Sequence, residues 1–188
     1  MDWKLPNILS LSRVIIAPFY VILFLSGDVA LQQFAIVLYI IGAITDYYDG
    51  YFARKFNWVS SFGKFMDPLA DKLLTSAAFL SFFYLDIIPL WMVIIILIRD
   101  FGTTFLRLFQ KNTFTTSYFA KMKTTIQMVF IGAILILFYI IDMYPHSAEA
   151  KMLTGWIYSD VTYYLMLIIT VITVLTFFDY LKPKKTKV

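Results

Sequence analysis

The chain contains no cysteine and a single histidine. The missing cysteine excludes disulfides, thiolate metal sites and cysteine nucleophiles. His146 follows Pro145 in a polar stretch and reads as a surface residue. Glutamate is almost absent, since eleven of the twelve acidic residues are aspartate. That bias favours short, rigid ligands over solvated surface charge. There is no internal repeat and no long low-complexity segment. No small-residue cleavage site follows the first apolar run, so that run reads as a retained helix. The loops are too short for a second domain, and residues 1–188 read as one domain.

What the chain does have is apolar bulk. It is 61% hydrophobic and 19% aromatic, with a mean hydropathy of +0.77. Soluble domains are usually about 45–50% apolar. The composition is that of an all-α integral membrane protein. A spanning helix needs about 20 mostly apolar residues, and six stretches qualify: 6–26, 32–54, 66–85, 88–109, 119–141 and 158–181. The longest connection runs from Asp142 to Asp160, and its part from Lys151 to Trp156 is expected in the interface. Most of the aromatic load reads as lipid-facing bulk. The small pairs Gly42-Ala43 and Gly132-Ala133 permit close helix approach.

Basic residues set the orientation. Lys4, Arg13, Arg54, Lys55, Lys64, Lys72, Arg107, Lys111, Lys121, Lys123 and the lysines of the tail all fall towards one side, and Lys151 falls on the other. By the positive-inside rule both termini are cytoplasmic. The net charge of +4 then reflects topology and anionic lipid, and no nucleic-acid partner is expected.

Against this background four carboxylates stand out: Asp46, Asp49, Asp67 and Asp71, all within 26 residues. An unpaired Asp at the bilayer centre costs about 2.5–3.5 kcal/mol on insertion scales. On a helix, Asp46 and Asp49 are i and i+3, and Asp67 and Asp71 are i and i+4, so each pair shares a face. The stretch Asn57–Gly63 can break the helix between them, with Gly63 expected to relieve a bend. Two antiparallel helices can therefore aim both pairs at one point. A pair of divalent cations is the natural compensation, and hard oxygen ligands suit Mg²⁺ or Mn²⁺. Gly50 and Ala53 allow close approach to the backbone, and Arg54 can donate a bidentate fork to a phosphate.

The run Asp46-x2-Asp49-Gly50-x2-Ala53-Arg54-x8-Gly63-x3-Asp67-x3-Asp71 resembles, at every fixed position, the signature of the CDP-alcohol phosphatidyltransferase family. Leu5–Ser10 with Arg13 is similar to the family's N-terminal stretch. The segments Arg99–Arg107 and Lys121–Gln127 look like its phosphatidylglycerophosphate synthase branch. The resemblance implies six transmembrane helices in the plasma membrane, a cytoplasm-facing polar cavity and a homodimer. It implies two metal ions per site, with Asp46, Asp49 and Asp67 as ligands and Asp71 as ligand and general base. Gly50, Arg54 and Ser60 would contact the CDP part of CDP-diacylglycerol, and Pro6, Asn7, Ile8 and Leu9 would close over the nucleotide. The implied reaction is attack of an alcohol on the lipid-bearing phosphorus, with release of CMP.

A second cluster bears on the acceptor. Arg99 lies deep in the apolar run Trp91–Phe101, and Arg107 is eight residues on. Lys121 and Lys123 begin the fifth span and face about 160° apart. Together these four can bind a phosphate, which favours glycerol 3-phosphate over serine, choline or glycerol. The competing reading is that Arg99 pairs with Asp100 or a site carboxylate while the other cations only satisfy the positive-inside rule. Thr124, Thr125 and Gln127 either line the cavity or bond between helices. Two rival activities are an intramembrane polyprenyl transferase and a cation transporter. The positions of Gly50, Ala53 and Arg54 argue against the first. The lack of an inverted repeat, with all four acids in one hairpin, argues against the second.

Overall fold

The computed structural model describes residues 5–55, 61–109 and 118–181. Among them the backbone is helical, with no strand. The helices are α1 (Leu5–Phe24), α2 (Val29–Lys55), α3 (Ser61–Tyr84), α4 (Leu90–Phe109), α5 (Tyr118–Met143), α6 (Ala148–Ile157) and α7 (Asp160–Leu181). Each of the six expected spans is met by a helix. The tail lysines, Lys4 and Lys111 lie outside the described residues.

The turns follow from local chemistry. Gly27 has φ +77°, a left-handed conformation that costs glycine nothing, and it closes the α1–α2 turn. Asp28 then caps α2, its carboxylate accepting from the Leu31 N–H at 3.0 Å. Asp86 takes φ 57° between α3 and α4, a position where Asp is among the tolerated residues. Ser147 caps α6 by accepting from the Ala150 N–H at 3.0 Å.

The connection Asp142–Asp160 contains a helix, α6. Its ten residues rise about 15 Å, too short to cross a bilayer. Gly63 lies within α3. A mid-helix glycine costs only about 1 kcal/mol against alanine, and α3 runs on through it.

The packing is inside-out compared with a water-soluble bundle. Outward positions on α2 (Phe34, Val37, Ile41, Ile44) and on α7 (Val161, Tyr164, Leu165, Ile168, Val171, Leu175, Phe178) form apolar stripes at helical spacing. Ile98 is 69% exposed. Meanwhile Ser81, Thr170 and Thr173 are buried, each hydroxyl donating to the carbonyl four residues earlier. Lipid, not water, suits such an exterior. Stretches 122–143 and 148–178 are long and apolar enough to cross a membrane, and 8–24 and 29–45 are shorter apolar segments. The interior is aromatic at the end away from the carboxylates. Tyr20 packs on Tyr39 at 5.1 Å, Phe24 on Phe138 at 5.4 Å and Phe79 on Phe130 at 6.5 Å between ring centroids. These contacts join α1, α2, α3 and α5, while α4 packs against α3 and α7.

Candidate active site

The register of the site is set by one glycine. A Cβ on Gly42 of α2 would lie 3.1 Å from Leu74 Cδ2 on α3 and 3.6 Å from Ile16 Cγ2 on α1. The three helices meet there at close quarters. Both Gly42 and Leu74 stand thirteen residues from the facing helix ends Lys55 and Ser61, so α2 and α3 run antiparallel. One turn from Gly42 along α2 is position 46, and one turn back from Leu74 along α3 is Asp71. Two turns bring positions 49 and 67 level. Gly42, Asp46 and Asp49 follow at i, i+4 and i+7 on one face of α2, and Leu74, Asp71 and Asp67 at the mirrored spacing on α3. The backbone thus stacks the four acidic positions in two levels about 5 Å apart. The side chains at 46, 49, 50 and 54 fall outside the described part of the structure. Ser60 lies outside the described residues altogether.

Asp67 and Asp71 are half-buried. The Ser10 hydroxyl on α1 donates to Asp67 Oδ1. Lys72 Nζ donates to Asp71 Oδ2 at 2.7 Å. The Thr75 hydroxyl donates to the Asp71 carbonyl at 3.0 Å, which fixes this turn of α3. Tyr39 stands within electrostatic reach of Asp71, and its buried hydroxyl meets no hydrogen-bond partner among the described residues.

The inner face of α1 reads Ser10, Arg13, Ala17, Tyr20, Phe24, all buried and spaced at helical intervals. It is polar at the carboxylate end and aromatic at the other. Arg13 is fully buried one turn beyond Ser10. A buried guanidinium needs anions nearby, and the helix register puts Arg13 level with positions 46 and 71. The sequence reading used Arg13 for orientation and for the family likeness alone, and missed the contact of Ser10. Of the stretch expected to close over the nucleotide, Pro6, Asn7, Ile8 and Leu9 are all within α1. Ile8 is exposed and Leu9 half-buried; the side chains of Pro6 and Asn7 are outside the described part.

The second cluster centres on Asp100, a residue that the sequence reading treated only as a competing partner for Arg99. Arg99 Nη1 donates to Asp100 Oδ1 at 3.3 Å, and Lys123 Nζ from α5 donates to the same oxygen. Arg99 Nη2 also donates to the Thr176 hydroxyl on α7 at 3.1 Å. The Lys123 and Asp100 side chains are 1% and 3% exposed, so Lys123 is an inward-facing lysine. The side chains of Arg107 and Lys121 lie outside the described part. One turn beyond Lys123, Gln127 is buried with neither amide atom hydrogen-bonded. The two clusters are neighbours: Lys72 feels the charges of both Asp100 and Arg99, and Lys123 feels that of Lys72.

The fold and the site together define a helical protein with a membrane-like apolar exterior and an aspartate-bearing hairpin beside a buried ion cluster. The chain belongs to the CDP-alcohol phosphatidyltransferase family, whose model matches residues 3–177. It is similar to the CDP-diacylglycerol–glycerol-3-phosphate 3-phosphatidyltransferase of Bacillus subtilis (strain 168), with 39% identity over 71% of this chain and 77% of that protein. The enzyme of the same name from Rickettsia prowazekii (strain Madrid E) is 34% identical over 99% of this chain and 98% of its own. A probable phosphatidylglycerophosphate synthase of Mycobacterium tuberculosis (strain ATCC 25618 / H37Rv) is 36% identical over 69% of this chain and 64% of its own.

Proposed function

We propose that this chain transfers the phosphatidyl group of CDP-diacylglycerol to glycerol 3-phosphate, giving phosphatidylglycerophosphate and CMP. The observation that supports the reading is the close approach of α2 to α3 at Gly42 and Leu74, one turn from Asp46 and Asp71. The names of relatives matching up to 99% of the chain point to the same acceptor. The protein crosses the plasma membrane six times with both termini and the site on the cytoplasmic side, and works as a homodimer. Gly42 is already spent on contacts within the chain, which leaves the Gly132-Ala133 pair for a partner helix.

Asp46, Asp49, Asp67 and Asp71 would hold two divalent cations, Mg²⁺ or Mn²⁺. The fit rests on an all-oxygen donor set and on Asp67 and Asp71 sharing one face of α3. Such ions, when bound, neutralise and polarise a pyrophosphate. Gly50, Arg54 and Ser60 hold the CDP part, and Pro6, Asn7, Ile8 and Leu9 close over it. In the reaction a glycerol 3-phosphate hydroxyl oxygen bonds to the lipid-bearing phosphorus, the bond from that phosphorus to CMP breaks, and Asp71 takes the hydroxyl proton. Lys72 steadies the Asp71 carboxylate. Arg99 and Lys123, with Arg107 and Lys121, receive the acceptor's phosphate. Arg99 and Lys123 gather at one buried point beside Asp100, and two neighbouring cations favour a phosphate over a neutral alcohol.

The test uses purified protein in detergent with CDP-diacylglycerol and Mg²⁺ or Mn²⁺. CMP release is followed with glycerol 3-phosphate, serine, inositol 1-phosphate or phosphatidylglycerol as acceptor. Release that requires glycerol 3-phosphate and stops on chelation is expected. Release supported equally well by another of these alcohols would reassign the acceptor. No release with any of them would overturn the reading.

A further inference from the structure

We propose that Asp100 is a positioning residue for the acceptor pocket, a carboxylate that touches no substrate and aims Arg99 and Lys123 at the acceptor's phosphate. The proposal rests on the acceptor assigned above.

The geometry is that of a clamp. Arg99 and Asp100 are adjacent on α4, and adjacent helical residues point about 100° apart. Their contact therefore requires the Arg99 side chain to fold across the helix. Lys123 reaches the same oxygen, Asp100 Oδ1, from α5. Thr176 on α7 takes the second terminal nitrogen of Arg99, and its own hydroxyl donates to the Thr173 carbonyl at 2.9 Å. Three helices thus converge on two cations through one buried anion and one hydroxyl.

The chemistry explains why an anion belongs there. Two buried cations with no counter-ion repel each other and are expensive to desolvate. One carboxylate between them offsets part of that cost and holds both cations at one point. Only one of the three ammonium donors of Lys123 is spent on Asp100, so others remain for a phosphate. An asparagine would keep the shape and lose the charge that draws the two cations together.

The experiment compares full-length wild type with Asp100→Asn, Asp100→Glu and Thr176→Val in detergent, using the CMP-release assay and thermal melting. Asp100→Asn is expected to raise KM for glycerol 3-phosphate by about tenfold or more, the scale seen when one partner of a buried charge pair is truncated. KM for CDP-diacylglycerol should stay near wild type, while the melting temperature falls, because two buried cations lose their shared carboxylate. Asp100→Glu should recover most of the acceptor affinity, and Thr176→Val should raise the acceptor KM by a few-fold. An unchanged acceptor KM in Asp100→Asn overturns the proposal. So does a parallel rise in both KM values, which would make Asp100 a structural staple. If Asp100→Asn fails to fold, an unchanged acceptor KM in Thr176→Val overturns it instead. Inorganic phosphate separates this proposal from the assigned reaction. Wild type inactive with glycerol 3-phosphate, yet stabilised by phosphate in an Asp100-dependent way, would refute the reaction and keep the clamp. No stabilisation in that case would remove both.

Discussion

The α2–α3 hairpin and the α4–α5 pair are both charged and adjacent, yet they differ in burial and in the charges they gather. In the hairpin are four aspartate positions, of which Asp67 and Asp71 are half-buried, with half-buried Lys72 and buried Arg13 described beside them. In the neighbouring cluster, Arg99 and Lys123 meet at the buried carboxylate of Asp100. A membrane interior penalises any uncompensated charge. On the proposed reading the first cluster would be completed by cations and the second by an anion. A donor carrying a metal-bound pyrophosphate and an acceptor carrying a phosphate would satisfy both at once.

The contrast can be broken first at its acidic side. Asp71→Asn removes the proposed proton acceptor, and turnover should fall by about 10²–10⁴-fold, the range for general-base loss. CMP release at saturating substrates measures this, and activity within tenfold of wild type would take Asp71 out of the base role. The basic side should respond differently. Arg107→Ala should raise KM for glycerol 3-phosphate by about tenfold with a smaller change in kcat, since a lost phosphate contact acts on binding. An unchanged acceptor KM would remove Arg107 from the pocket. The smallest effect is expected at the seam between α1 and the hairpin. Ser10→Ala deletes the hydroxyl donated to Asp67, a bond to a charged group that is worth about 1.5–3 kcal/mol. Water can replace part of it, so a several-fold loss of activity at limiting Mg²⁺ is expected. That loss should shrink as Mg²⁺ rises, and a loss independent of Mg²⁺ would mean that Ser10 acts elsewhere.

The two clusters were not equally legible in the sequence. Asp46, Asp49, Asp67 and Asp71 declare themselves because acids in an apolar run have little structural excuse, and their i+3 and i+4 spacings survive in the helices. Helix positions were legible for the same reason: length and hydropathy decide them. Lys72 was not legible as the partner of Asp71, because adjacent helical residues do not face each other and spacing rules ignore a long side chain that folds back. The pairing of Arg99 with Asp100 was legible as the competing reading, but the tie of Asp100 to Lys123 was not, because it spans 23 positions. Arg13 read as topology because a lone arginine near a terminus usually is. Helix α6 did leave a signal, Ser147 as cap with Glu149 in the first turn. The surrounding Pro145, His146 and Gly155 drowned it.

The contact of Gly42 with Leu74 and Ile16 makes the hairpin sensitive to counting more than to chemistry. Inserting one residue between Gly42 and Asp46 would turn both downstream acids about 100° around the α2 axis and slide them about 1.5 Å along it. No side chain would have changed identity, yet neither level would meet its counterpart on α3. This stretch should accept many exchanges of one apolar residue for another while refusing any change in its length.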